Sequence, residues 1–437
     1  MRISTATQNL LQTKQPTRRG ESIMARNIVV GQSGGPTAVI NSSLAGVISA
    51  AKEAGFDKIY GMHHGIEGFL KEDLVDIADF VQDKSDIELL KRTPSAFLGS
   101  CRYKLPKIEG NEATYDKIFE ILEKNDIECF FYIGGNDSMD TIKMLSDYAK
   151  EKGKTQKFMG VPKTIDNDLP ITDHTPGYGS AAKYIATSMK EIIRDNSSFG
   201  AAKPTITVVE IMGRHAGWLT ATAALSRCED CEGPDMIYLP EVDFDIDDFM
   251  ARVKKLAEEK SSVVIAISEG IKLADGRFVC ELGSASDYVD AFGHKQLSGS
   301  AVVLTNKIQA ELGYKSRAIE LSTLQRAATH LASLTDINEA FTVGYLAGQA
   351  AAEGQTGMMI TIDVVKRAPY EVAYSIYDIH EIANVERPVP MEWIVEDGTN
   401  VSDEYIEYAR PLIMGELTPL MVDGLPRHLV LKKSTYK

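Results

Sequence analysis

The sequence is short of cysteine and has no long apolar run, and each shortage excludes a class of protein. Its five cysteines are few for 437 residues and odd in number, which argues against a disulfide-stabilised secreted fold and favours reduced thiols inside a cell. The spacing Cys-x-x-Cys occurs once, at Cys228 and Cys231, so a zinc site would lack its second pair of ligands. No apolar run approaches the roughly 18–20 residues that span a bilayer.

Basic residues are also in deficit. Lysines and arginines number 47 and aspartates and glutamates 62, giving a formal net charge of −15. A nucleic acid or an anionic membrane is therefore not expected as a partner, because both require a basic surface. With 44% hydrophobic and 25% charged residues, the composition is typical of a globular cytoplasmic protein, and the length predicts two or three domains.

The first 23 residues differ from the rest of the chain. They are polar, have no acid before Glu21, and end just before Met24 and the first strand-like run. A transit peptide is one interpretation of such a segment. We favour an upstream leader and predict that residues 1–23 are disordered.

Continuous apolar runs alternate with helical patterns along the chain. Such runs are typical of parallel strands covered on both faces, and the alternation predicts a doubly wound α/β architecture. Ligands of open α/β sheets bind beyond the carboxyl ends of the strands. Each run here is followed directly by a glycine-rich or polar cluster, so we expect the clusters to form a binding site. The runs occupy residues 27–30, 129–133, 158–161, 205–211 and 263–267.

Two of these clusters are rich in glycine. The first, Gly31–Thr37, lies between a strand and a helix, where backbone N–H groups can cradle a phosphate; a tight turn is the alternative. It matches neither the Walker A loop nor Gly-x-Gly-x-x-Gly. The second, Gly134–Ser138, offers Asp137 as an oxygen ligand for Mg²⁺, and a helix N-cap is its alternative interpretation.

The third cluster is acidic and follows a buried strand. In Lys163–Asp168, Asp166 can accept a proton from an attacking hydroxyl, and Asp168 can hold a metal or position Asp166. Lys163 can neutralise charge on a transferring phosphoryl group. An acidic turn is the alternative.

Arginines mark the last two clusters. Arg214 lies in the glycine-rich stretch Met212–Gly217, and Arg317 precedes Arg326 by nine residues. Guanidinium groups suit the recognition of a phosphate ester. Exposed structural arginines are the alternative.

These five clusters, in this order and at this spacing, resemble those of the phosphofructokinases over residues 26–350. The resemblance implies two Rossmann-like, doubly wound, three-layer domains with a discontinuous chain. The phosphoryl-donor domain would comprise residues 24–177 plus about 325–390, and the sugar-phosphate domain residues 178–324 plus about 391–437. A homodimer or homotetramer is also implied.

The resemblance also implies a reaction, in which a phosphoryl group passes to the 1-hydroxyl of fructose 6-phosphate with Mg²⁺ in glycolysis. The family's catalytic Thr-Ile-Asp-Asn-Asp stands at Thr164–Asp168, so Asp166 would be the base, assisted by Lys163. Gly34, Arg102 and Asp137 would face the phosphoryl donor. Asp137 would also bind the metal. The implied sugar-phosphate ligands are Thr164, Asp168, Met212, Gly213, Arg214, Glu269, Arg317 and Arg326.

Two positions indicate the donor. Family members that use ATP resemble Gly-Gly-Asp-Gly-Ser and have glycine before Thr-Ile-Asp-Asn-Asp, whereas those that use pyrophosphate resemble Gly-Gly-Asp-Asp-Ser and have lysine there. Asp137 and Lys163 follow the second pattern. The charge of Asp137 would repel the inner phosphate of a nucleotide. We therefore predict a reversible pyrophosphate-dependent enzyme.

Three positions depart from the family pattern: Asn136 replaces an acid associated with Mg²⁺, Thr205 an interfacial arginine and Thr323 a histidine. Asn136 keeps a non-catalytic regulatory homologue as an alternative hypothesis. An ATP-dependent enzyme of the same family is another alternative. A dinucleotide-dependent oxidoreductase is opposed by the missing Gly-x-Gly-x-x-Gly. His294 is interpreted as structural.

Overall fold

A computed structural model describes residues 26–199, 203–283, 299–383 and 385–431. The leader predicted at residues 1–23 and His294 lie outside these ranges. The strands are β1 Asn27–Gln32, β2 Lys58–Met62, β3 Leu74–Asp76, β4 Ile127–Gly134, β5 Lys157–Pro162, β6 Thr205–Ile211, β7 Met236–Tyr238, β8 Ser262–Ser268, β9 Lys315–Glu320, β10 Met358–Arg367, β11 Tyr370–Asp378, β12 Ile394–Val395, β13 Asn400–Val401, β14 Met421–Val422 and β15 Leu425–Pro426.

The α-helices alternate with these strands over most of the chain. They are α1 Ile40–Glu53, α2 Gly65–Phe69, α3 Lys84–Lys91, α4 Glu112–Lys124, α5 Asn136–Glu151, α6 Tyr178–Ser197, α7 Trp218–Ala221, α8 Ile246–Glu259, α9 Ser300–Leu312, α10 Leu324–Ala327, α11 Leu334–Ala352 and α12 Asp403–Ala409. Among the described residues, no helix is both long and apolar enough to cross a membrane.

Two sheets organise the described chain. The larger has the order β11-β10-β5-β4-β1-β2-β3; its inner strands pair in parallel, and β11 and β3 are antiparallel edges. The smaller has the order β7-β8-β6-β9 and is parallel throughout. The predicted α/β class with two doubly wound sheets is confirmed, and the strands predicted from continuous apolar runs are all present.

Both faces of the larger sheet are covered, which explains why its strands are apolar without alternation. Ile28 of β1 packs with α1 and α11 on one face, whereas Val29 packs with α4 and α5 on the other. Helices α1 and α11 lie unusually close, since a Cβ on Gly46 would come 2.1 Å from the Phe341 carbonyl oxygen. The result is a three-layer arrangement around the larger sheet.

The smaller sheet is layered in the same way. Val208 of β6 packs with α8 and α9, and Val209 packs with α6 and with Tyr405 of α12. The chain therefore returns to the smaller sheet after completing the larger one, although Leu429 near its end packs against the larger-sheet core. The predicted domain boundaries stay a prediction.

Candidate active site

A cavity of about 300 Å³ lies where carboxyl ends of strands from both sheets meet. The loops after β1, β4 and β5 of the larger sheet line one side, and those after β6 and β8 of the smaller sheet line the other. The lining residues are Ser33, Gly34, Gly35, Pro36, Arg102, Gly135, Asn136, Asp137, Ser138, Lys163, Thr164, Ile165, Asp166, Asp168, Met212, Gly213, Arg214, His215, Ala216, Glu269, Arg326 and Glu386. Every site residue predicted from the sequence, except Arg317, belongs to this set.

The acidic cluster forms a tightly bonded loop after β5. The Thr164 hydroxyl accepts the Asp166 N–H at 3.1 Å and lies 3.2 Å from the Asp166 carboxylate, to which it donates. Asn167 has a left-handed φ of 55°; its amide donates to the Tyr408 hydroxyl at 2.8 Å and accepts the Thr175 N–H at 3.0 Å. These bonds fix the backbone between the two aspartates.

Both carboxylates of this loop are hard to ionise. The Asp166 side chain is reached from the cavity but is otherwise surrounded by protein, and this loss of solvent raises the pKa of its carboxyl. Desolvation, followed by the charge of Asp166, raises the pKa of Asp168 to about 7. Asp168 Oδ1 is buried without a hydrogen-bond partner. When ionised, both carboxylates are therefore stronger proton acceptors than a solvated aspartate.

Lys163 lies on the glycine-lined side of the cavity. It is buried, and its ammonium donates to the Gly35 carbonyl at 2.6 Å. Burial lowers the pKa of Lys163 to about 8, against the opposing effect of Asp166. A buried ammonium next to an open, glycine-lined cavity is suited to a small and highly charged anion.

Glycines let the first loop approach this ammonium. Gly34 has a φ of 73°, which favours a residue without a Cβ, and its N–H donates to the Cys101 carbonyl at 3.1 Å. A Cβ on Gly35 would lie 3.0 Å from a guanidinium nitrogen of Arg326. The glycine-rich loop thus makes room for cationic side chains.

Asn136 and Asp137 begin α5 on the same side. The Asp137 carboxylate lies 3.7 Å from the Lys104 ammonium, and both groups are well exposed. The Asn136 amide donates to the Val385 carbonyl at 2.6 Å, a bond that an aspartate could not make because a carboxylate only accepts. Asn136, which replaces the acid of the family pattern, therefore contacts Val385, a residue far along the chain.

The smaller sheet supplies the opposite wall. Gly213 has a φ of 143°, and its N–H donates to the Glu269 carboxylate at 3.3 Å. Burial raises the pKa of Glu269 to about 7. Gln325 accepts the Met212 N–H at 3.3 Å, which places Arg326 beside this wall. Both walls therefore carry cationic and acidic side chains beside glycines.

Arg317 is not brought to this cavity within the described chain. It lies three residues before the end of β9, and its guanidinium contacts the Asp195 carboxylate at 3.4 Å and the ring of Phe199 at 5.2 Å. These contacts hold the side chain outside the lining of the cavity. Its predicted contact with a sugar phosphate stays a prediction.

Sequence reasoning missed Glu386, which lines the cavity. Its charge raises the pKa of both Asp166 and Asp168. The residue lies more than two hundred positions after those aspartates and follows no strand-like run. No local pattern could have indicated it.

Comparison with known proteins gives consistent matches. A family model described as Phosphofructokinase matches residues 27–351. The pyrophosphate–fructose 6-phosphate 1-phosphotransferase of Halomonas elongata is 41% identical over 409 residues, covering 93% of this chain and 96% of that protein, and the protein of the same name from Methylococcus capsulatus gives the same figures. The crystal structure of the pyrophosphate-dependent phosphofructokinase from Nitrosospira multiformis superposes with a TM-score of 0.83 at 38% identity, covering 94% of this chain and 99% of that one.

Proposed function

The chain belongs to the phosphofructokinase family, and we propose that it transfers a phosphoryl group from pyrophosphate to the 1-hydroxyl of fructose 6-phosphate. The products are fructose 1,6-bisphosphate and phosphate, and the reaction is reversible. The observation that supports this proposal best is that Lys163, Asp137 and Asp166 line one cavity together with three arginines, Arg102, Arg214 and Arg326. Relatives that share 41% identity have the same reaction in their name.

Asp166 is the proposed base. Its carboxylate takes the proton of the sugar's 1-hydroxyl as that oxygen forms a bond to the terminal phosphorus, while the bond from that phosphorus to the bridging oxygen breaks and phosphate leaves. The raised pKa of Asp166 makes the carboxylate a stronger base than a solvated aspartate. In the reverse direction the protonated carboxyl returns the proton to the same oxygen.

Lys163 and Arg102 are proposed to stabilise the charge of the donor, and Arg214 and Arg326 to bind the sugar phosphate together with Thr164. Phosphoryl transfer depends mainly on positioning and electrostatics, so fixed cations on both walls suit it. The further proposed sugar ligands are Asp168, Met212, Gly213, Glu269 and Arg317, and Gly34 is proposed to leave the donor room.

Mg²⁺ is the proposed metal. Among the described residues, no three or more histidines, cysteines, aspartates or glutamates are grouped to hold a metal by themselves. Mg²⁺ does not require such a group, because it is usually held by one or two carboxylates together with phosphate oxygens and water. The accessible Asp137 carboxylate and the unpartnered oxygen of Asp168 fit that role. When bound, the ion would neutralise charge on the donor oxygens.

A donor comparison tests the proposal. We expect the purified protein with fructose 6-phosphate and Mg²⁺ to form fructose 1,6-bisphosphate with pyrophosphate and to run backwards from phosphate. Turnover with ATP but none with pyrophosphate would refute the proposed donor. Inactivity with both donors would instead favour a regulatory homologue. A cytoplasmic location and a homodimeric or homotetrameric assembly stay predictions.

The alkaline limb of the pH–activity profile, where activity decreases as the pH rises, should reflect deprotonation of Lys163. Its pKa is lowered to about 8, so the ammonium is present below that pH and is lost as the pH rises through it. We therefore expect kcat/KM for pyrophosphate to fall above about pH 8 in the free enzyme. Lys163→Arg keeps its charge at every accessible pH and should remove this limb. Since pyrophosphate titrates identically with both proteins, an unchanged limb in the variant would contradict the assignment.

A further inference from the structure

Residues 385–389 form a segment that touches both walls of the cavity and the loop between them. On the wall formed by the loops after β1, β4 and β5, which is called the donor wall here, the Val385 carbonyl accepts the Asn136 amide at 2.6 Å. Beside the opposite wall, which is formed by loops of the smaller sheet and is called the sugar wall here, the Val389 N–H donates to a Glu241 carboxylate oxygen at 3.0 Å. The same oxygen accepts the N–H of Gly217 at 2.8 Å, the residue after the lining residue Ala216. The segment lies outside residues 27–351, which match the family model.

Arg387 is the centre of this segment, and three of its groups hold the loop that bears the catalytic aspartates. Its backbone N–H donates to the Asp168 carbonyl at 2.8 Å. One arm of its guanidinium donates to the Asn167 carbonyl at 3.0 Å, and the other to the Thr172 carbonyl at 2.9 Å. A single planar group thus ties together two points of the loop that are five residues apart.

Arg387 is itself held in place by Trp218. The guanidinium lies 4.8 Å from the centre of the indole ring, and the indole N–H donates to the Arg387 carbonyl at 2.8 Å. The ring therefore fixes both the side chain and the backbone of the arginine. Such a stacked and doubly bonded guanidinium loses little freedom when it binds the loop.

Asn167 shows why the loop needs this support. Its φ of 55° is a conformation that residues with a Cβ adopt at some cost, and it lies between Asp166 and Asp168. If the backbone at Asn167 relaxed, the two carboxylates would turn relative to the donor and the sugar. Displacements of about 1 Å at a reacting group can reduce a rate by about 10²-fold.

We propose that Arg387 is a positioning residue for phosphoryl transfer, which holds Asn167 and Thr172 so that the Asp166 carboxylate faces the sugar hydroxyl. The inference rests on the proposed function. It differs from a contribution to substrate binding, because the contacts of Arg387 given above are to the protein. Its loss should therefore lower kcat and leave the KM values of both substrates almost unchanged.

The test compares Arg387→Met and Arg387→Lys with the same changes at Arg410. Arg410 is a matched control because its guanidinium also bridges two carbonyls, of Leu225 at 2.7 Å and Arg227 at 3.0 Å, and it does not line the cavity described here. We expect Arg387→Met to lose about 10²-fold in kcat with KM values within about threefold, and Arg387→Lys to lose less. The Arg410 variants should lower Tm with kcat within about twofold.

Chemical rescue separates positioning from folding. Millimolar guanidinium should restore part of kcat to Arg387→Ala and methylammonium should not, because only the planar ion reproduces the fork in which two separate nitrogens each donate to one carbonyl. The proposal is overturned if Arg387→Met retains kcat within threefold, if guanidinium rescues no better than methylammonium, or if Arg410→Met loses as much kcat. If the wild-type protein shows no turnover in the same assay, the proposed function fails instead.

Discussion

Asp166→Asn should lower kcat by roughly 10³-fold or more, toward the upper end of what general acid–base catalysis contributes. The amide is nearly isosteric with the carboxylate and can still accept the hydrogen bond that Thr164 donates at 3.2 Å. It cannot take the proton of the sugar hydroxyl. The loss should fall on both directions of the reaction, because the same carboxyl gives the proton back when the bisphosphate is cleaved.

Binding measurements distinguish this result from a damaged site. Removing the negative charge of Asp166 relieves its repulsion of two anionic substrates, so the Kd of fructose 6-phosphate should stay the same or decrease. The Tm should be unchanged or raised, since the raised pKa of the Asp166 carboxyl means that its ionised form is already disfavoured in the folded protein. A variant that keeps kcat within tenfold would exclude Asp166 as the base.

Much of the fold follows from the sequence because the central strands are buried on both faces. Continuous apolar runs predicted β1, β4, β5, β6 and β8, and the structure extends most of them by a residue or two. The hairpin of β10 and β11 was not predicted. The half of the hairpin nearest its turn extends beyond the neighbouring strand β5. All residues of β11 are half-buried or exposed, so this strand has no continuous apolar run.

The site could be predicted where its reactive residues directly follow a strand in the sequence. Lys163–Asp168 comes directly after β5, and the glycine-rich loop directly after β1, so topology alone brings them together. Glu386 lines the same cavity from the chain's last hundred residues. Its neighbour Arg387 is held by packing against Trp218, a contact that no local pattern indicates. Arg317 shows the converse, because spacing from Arg326 does not fix which way a mid-strand side chain points.

Asp137→Gly combined with Lys163→Gly should shift the donor preference from pyrophosphate toward ATP. Asp137 lies on the donor wall with its carboxylate 3.7 Å from Lys104, and removing it relieves repulsion of an inner phosphate. Losing the Lys163 ammonium removes a charged contact worth about 1.5–3 kcal/mol to a small anion. We expect the ratio of kcat/KM for ATP to that for pyrophosphate to rise by roughly 10²-fold or more.

The chain offers a matched control in Asp140→Gly with Lys157→Gly. Asp140 lies on the same helix as Asp137, α5, and Lys157 is the first residue of β5, the strand that Lys163 directly follows. Neither residue lines the cavity described here. Glycine there removes the same charges and adds the same backbone freedom, so this variant should lose stability without changing the donor ratio.

The single variants show how much each of the two positions contributes to the donor preference. If repulsion by Asp137 excludes the nucleotide, Asp137→Gly alone should admit ATP and leave pyrophosphate turnover largely intact. If attraction by Lys163 selects pyrophosphate, Lys163→Gly alone should weaken pyrophosphate binding without improving ATP. A donor ratio unchanged in the double variant would mean that neither side chain sets the preference. The volume of about 300 Å³ would then be the next feature to test, since a nucleotide needs more room than pyrophosphate.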